Sequence, residues 1–207
     1  MKIFGAIALP LLCQAAWGQV FDTPVVYNTP IASTPLRPLS AEERAKWVIK
    51  STFGLTPIFT RSIESGLQTW TNSPREYGSH WDGFAKREAS KFGSSILSSS
   101  LEASIGSVWG EDPRYRRIGT GSGGRRVKYA IRMAFMAENK SGEILPAYAR
   151  FIAVPSAQFL SNNWREPSEV TPGGTAQRIG FSFIKRIGSN TLKEFAPDFR
   201  RRILRKP

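Results

Sequence analysis

The sequence predicts an all-α protein: a single domain of five or six helices packed through Gly/Ala/Ser stripes, behind an extended Pro-rich N-terminal leader. Three observations lead there. From residue 40 onward, apolar residues recur at helical spacing in one segment after another. Glycine or proline punctuates the segments. Neither a hairpin nor an alternating strand series is legible, and no full-length repeat is present.

The first eighteen residues read as a signal peptide. Lys2 supplies the positive start, Ile3 to Leu12 an apolar run, and Ala16-Trp17-Gly18 the small residues for cleavage before Gln19. Acylation at Cys13 is the alternative, but it needs a small residue where Leu12 stands. Cleavage leaves 207 − 18 = 189 residues and a net charge of 13 − 1 = +12, Lys2 being the only charge lost. No cysteine then remains, which excludes disulfides. The size suits one domain. The expected location is exported, in the periplasm or envelope, the outer membrane included. Such a charge calls for an anionic partner, a membrane surface or an envelope polymer, and export ranks nucleic acid last.

Residues 19–39 hold Pro24, Pro30, Pro35 and Pro38 and read as the extended leader. The folded part, 40–198, opens with Ser40-x-x-Glu43, a capping box. Trp47, Val48 and Phe53 face the first helix and Gly54 stops it. Thr56-Pro57 restarts a second, whose apolar face is Ile58, Phe59, Ile63 and Leu67, ending near Trp70. A long helix follows from Trp81 or Phe84 to Trp109, with Leu97, Leu101, Ile105 and Val108 on one face. Its small residues at Ala85, Ala89, Gly93, Ser100, Ala103, Ser104 and Ser107 predict tight packing in a bundle, since so many serines make it too polar to face lipid.

Val127, Ala130, Ile131, Ala134 and Phe135 form the next apolar stripe, with Arg126, Lys128 and Arg132 off it. Asn139 to Gly142 is a turn returning an antiparallel helix. Ile144 to Leu160, with Arg150 as its one charge and a kink expected at Pro155, reads as a buried central helix. An interfacial or re-entrant segment is the alternative, and the run is too short to read as a membrane span. Ile179, Phe183 and Ile187 mark the last helix, with a small face at Ala176, Gly180 and Gly188 and a break at Pro197-Asp198. The basic tail, 199–207, makes Phe199, Arg200, Arg201, Arg202, Ile203, Arg205 and Lys206 a candidate membrane-surface element.

Polar chemistry concentrates between Trp109 and Arg126. Glu111, Asp112, Arg114, Tyr115, Arg116 and Arg117 form a charge cluster, read as a structural latch in which arginines pair with the two carboxylates. The alternative is an active site built from Glu111, Asp112, Arg114 and Tyr115, although neighbouring arginines keep carboxylates ionised, the wrong state for a general acid. Downstream, Gly121, Gly123, Gly124, Arg125 and Arg126 are candidates for binding an anion at a helix N-terminus. A plain flexible connector is the preferred reading there, because the dinucleotide motif it imitates needs a preceding strand. His80 is the only histidine and lies in a turn. No catalytic residue, metal ligand or cofactor is therefore assigned.

Several stretches carry a resemblance: Gly110 to Tyr115, Pro38 to Arg44, Ser51 to Gly54, Lys128 to Phe135, Ser161 to Trp164 and Leu192 to Asp198. Together they resemble a family of small exported bacterial proteins of unknown function carrying a Gly-Glu-Asp-Pro-Arg-Tyr motif. The likeness spans most of Pro38 to Asp198 and implies neither an activity nor catalytic residues. Arg125 and Arg126 make the glycine loop more basic than the family pattern. The expected function is a cell-envelope protein with a non-catalytic structural or interaction role at an anionic surface; the alternative is an envelope enzyme acting on polysaccharide or lipid.

Overall fold

The computed structural model describes residues 38–204 and is all-α apart from one small hairpin. The signal peptide, nearly all of the leader, and Arg205 and Lys206 of the tail lie outside the described residues; Arg202 and Ile203 are described as helix backbone only.

Helix α1, Ala41–Phe53, begins with the expected capping box: the Glu43 amide donates to Ser40 Oγ and the Ser40 amide to Glu43 Oε2. Gly54 separates it from α2, Leu55–Trp70, and a Cβ there would lie 2.4 Å from the Lys50 carbonyl oxygen, so only glycine fits. Helix α3, Trp81–Trp109, is the spine, about 44 Å long at 1.5 Å per residue. It ends at Gly110, whose φ of 78° is the left-handed cap that frees the chain to turn. Helix α4, Gly123–Phe135, runs into the antiparallel hairpin of β1, Met136–Glu138, and β2, Ile144–Pro146. Helix α5, Tyr148–Ser161, and helix α6, Pro172–Leu204, complete the domain. Helices α1, α2 and α5 pack on α3, and α6 lies along α4.

Two expectations about boundaries need correction. Asn139 to Gly142 joins strands, not helices: Ala137 pairs with Leu145, and the helix expected from Ile144 starts at Tyr148. Pro197 does not break α6, which continues past it to Leu204. Asp198 therefore sits inside a helix.

A larger correction concerns which way the helices face. Among the described residues, eight of the twelve buried apolar ones are alanine, so helix backbones approach closely and large apolar side chains are left outside. On α2, Ile58, Phe59, Ile63 and Leu67 do share a face, but it is exposed, while Arg61 and Ser65 point inward. On α3 the buried face holds Arg87, Ser90, Ser94, Ser99, Glu102, Ala103 and Gly106; Val108 is exposed. Ala85, Ala89, Ser104 and Ser107 face outward, as do Ala176, Gly180 and Gly188 of α6. Arg126 lies on the buried face of α4 with Tyr129, Ala130, Met133 and Ala134, whereas Val127 and Ile131 are exposed. Helix α5 buries Ala149, Arg150, Ala153, Val154 and Ala157 and exposes its opposite side, so only half of it fits the expected central helix.

Buried charge replaces buried aliphatic bulk. Arg44, on α1, donates to the carbonyls of Ala103 (3.1 Å), Gly106 (3.3 Å) and Glu111 (3.0 Å), satisfying the C-terminal end of α3. Arg150 does the same for α4, donating to Met133, Ala134 and Met136 carbonyls, while its Nε pairs with Glu102 at 2.9 Å. Arg186 of α6 reaches the same Glu102 oxygen. Arg87, 1% exposed, ties α3 to the preceding loop through the Pro74 and Gly78 carbonyls, both at 2.7 Å.

Candidate functional site

The strip from Glu111 to Gly119 leaves α3 in extended form and crosses two neighbours. Its first contact is with the hairpin: the Asp112 amide donates to the Glu138 carbonyl at 2.8 Å, an isolated bridge beside β1. Glu111 and Asp112 are buried. Glu111 accepts from the Ala149 amide at 3.1 and 3.3 Å and from the Trp109 indole. Ala147, the residue before α5, provides no side-chain cap, so a carboxylate from 38 residues away supplies it. Glu111 thus pairs with an amide and an indole, not with an arginine of the strip.

Asp112 does pair within the strip. Arg114 grips it bidentately, Nε at 3.0 Å from Oδ1 and a terminal nitrogen 2.8 Å from Oδ2, and the Arg114 amide adds a bond at 2.9 Å. Arg116 instead takes Glu138, at 3.1 and 3.2 Å. Arg117 and Tyr115 reach α6: Arg117 donates to the Glu194 carbonyl (2.8 Å) and to Asp198 (2.6 Å), and the Tyr115 hydroxyl to Glu194 Oε2 at 2.7 Å.

Glu194 is where these contacts converge. Its side chain has no solvent exposure, and besides Tyr115 it accepts from Arg126 Nε (2.8 Å) and from the amides of Gly119 (2.9 Å) and Ile118 (3.2 Å). Arg126 also bonds the Glu194 carbonyl and Asp198, both at 2.6 Å, and stacks 4.3 Å over the Phe195 ring. Burial alone would raise the Glu194 carboxyl; the Arg126 guanidinium, the Gly119 amide, the Tyr115 hydroxyl and the Ile118 amide together hold it below its ordinary value. Burial, then the Glu194 carboxylate, pushes the Tyr115 hydroxyl far up, so it stays a donor. Asp198 is held low by Arg126 and then Arg117.

Of the anion-site candidates, Arg126 does hold an anion, and it is the chain's own Glu194, shared with the amides of Ile118 and Gly119 that precede the candidate glycines. Gly121, Gly123 and Gly124 are exposed around the α4 start, where Ser122 is the cap, and Arg125 donates its amide to Ser122 Oγ. Of the tail, Phe199, Arg200 and Arg201 are exposed on the last turns of α6. His80 is exposed at the start of α3. An open hollow lies elsewhere, lined by Thr71, Asn72, Arg75, Glu76 and Ser168 among others, and none of the strip residues lines it. Among the described residues no group of three or more His, Cys, Asp or Glu is placed to hold a metal ion.

Sequence reasoning missed Glu194, Glu102, Arg44 and Arg87. The available signal was isolation: Glu102 is the only charge between Lys91 and Glu111, as Arg150 is between Glu143 and Arg165. A lone charge in a long uncharged helical run finds its partner on another helix. Comparison with known family models, curated proteins and solved structures finds no match.

Proposed function

We propose that this chain is an exported cell-envelope protein, with a non-catalytic structural or interaction role at an anionic surface, of the kind its Gly-Glu-Asp-Pro-Arg-Tyr motif suggests. The observation that supports this reading most is where the strip's carboxylates are spent. Glu111 caps a helix, Asp112 holds Arg114, and Glu194 of α6, which faces the strip, accepts six hydrogen bonds on its carboxylate and carbonyl from Tyr115, Arg117, Ile118, Gly119 and Arg126. A general acid needs a carboxyl that is protonated and reachable, and Glu194 is sealed and held ionised. The net charge, +13 for the full sequence and +12 once Lys2 is lost with the signal peptide, then remains as the chain's main means of recognition, and Arg200 and Arg201 present it at the surface.

The test is co-sedimentation with anionic and neutral vesicles across a salt series, with and without residues 199–207. Charge-driven binding prefers the anionic vesicles and weakens as salt shortens the screening length from about 10 Å at 0.1 M to about 3 Å at 1 M. Equal binding to both vesicle types would leave the charge without this role.

A further inference from the structure

Helices α2 and α5 both turn their polar or small faces to α3 and their apolar faces away from it. The inward contacts are explicit: Arg61 and Ser65 of α2 bond Glu88, and on α5 Arg150 bonds Glu102 while Ala149 lies against Gly106. The outward faces are unlike those of helices that face water. Every exposed residue of α2 is apolar or threonine: Leu55, Thr56, Ile58, Phe59, Thr60, Ile63, Leu67 and Trp70. Every exposed residue of α5 is tyrosine, phenylalanine, isoleucine or leucine. Leu55, Phe59 and Trp70 are 88%, 68% and 84% exposed. A water-facing helix carries its charges outward, whereas here Arg61 and Arg150 are inside.

We infer that the outward faces of α2 and α5 lie among the acyl chains of an anionic membrane. This rests on the anionic-surface reading and specifies the contact. Three observations choose lipid over a second copy of the chain. Among the described residues large apolar side chains are exposed on each of the six helices, from Ile49 of α1 and Val127 of α4 to Leu192 of α6, whereas a two-fold interface uses one patch. Exposed tryptophans stand at helix ends, Trp70 closing α2, Trp81 opening α3 and Trp164 just past α5, the places where indoles sit at the level of lipid headgroups. The chain's net charge of +13 complements anionic headgroups. No helix among the described residues is long and apolar enough to cross a membrane, and α2 and α5, of 16 and 14 residues, are about 24 and 21 Å long against about 30 Å of hydrocarbon. That length and one-sided polarity suit each helix to lying in the interface, apolar side inward, and not to crossing the bilayer.

The experiment is flotation of the protein, purified in the form in which it accumulates, with phosphatidylglycerol-containing vesicles at low salt and at about 1 M salt. The wild type is compared with Phe59→Gln/Leu67→Gln and Ile152→Gln/Phe159→Gln; all four side chains are exposed, and unchanged helicity and melting establish folding. The wild type should stay bound at high salt and its fluorescence should be quenched by brominated acyl chains, less so in Trp70→Phe. Each double variant should lose high-salt binding about tenfold or more while keeping low-salt binding. Complete release of the wild type by salt would overturn acyl-chain contact and leave charge-driven docking intact. No binding to anionic vesicles at any salt would overturn both. Oligomers dissociated by the substitutions, with vesicle binding unchanged, would assign the faces to a second copy and overturn the inference.

Discussion

Arg126 Nε donates to Glu194 Oε1 at 2.8 Å across 68 residues of sequence, and both side chains are buried. That pair joins the glycine loop and α4 to α6, and the strip from Tyr115 to Gly119 closes over it. Isolated buried charges are costly, but here each oxygen of Glu194 has at least two donors, which is the condition under which a buried ion pair holds. A second buried carboxylate, Glu102, is shared by two guanidiniums, those of Arg150 and Arg186.

Stability should fall in acid. Glu194 and Asp198 have folded-state values below their ordinary 4.5 and 3.8, so the unfolded chain binds their protons more readily. Their contribution is fully present above the ordinary values and is lost as pH falls through the lower folded ones. Denaturant unfolding at pH 7, 5, 4 and 3 should give similar stability at the first two and progressively less below. A stability that is flat down to pH 3 would remove these carboxylates from the account.

Asp112→Ala should cost about 1–3 kcal/mol, measured by urea unfolding. Asp112 is buried, so its loss is felt, but Arg114 is 44% exposed and water can solvate it when released. The full penalty of a stranded buried cation is thus not expected.

Arg44→Lys should be no substitute. One guanidinium serves three carbonyls on α3 and the strip, and an ammonium on a flexible stem cannot match that planar fork. A loss of about 2–4 kcal/mol is expected from unmet buried acceptors, and hydrogen exchange should speed up at the C-terminal turns of α3 before it does in α2.

Much of the helical architecture was legible in the sequence because caps and punctuation are local. Ser40 and Glu43 fix one start, and Trp81 to Trp109 was bounded by a turn and Gly110. The hairpin was not legible: Met136-Ala-Glu138 and Ile144-Leu-Pro146 are three residues each, too short to show alternation. Nor was the facing of the helices. Periodicity locates the Ile58–Phe59–Ile63–Leu67 stripe but not its direction, and the rule that apolar faces turn inward fails where arginines and glutamates satisfy one another inside. The candidate strip was visible by its charge density. Its partner Glu194 was not, because nothing local distinguishes that glutamate from a solvated one; only the fold brings it under Gly119 and Arg126.

The most direct test of the internal clamp is a double-mutant cycle on Arg126 and Glu194, using Arg126→Met, Glu194→Gln and the pair, with stability read from denaturant unfolding. Each single change strands a buried partner and should cost about 3–5 kcal/mol. The account predicts that the double variant costs less than the sum of the two by at least about 2 kcal/mol. Additive losses, with coupling under about 0.5 kcal/mol, would contradict it.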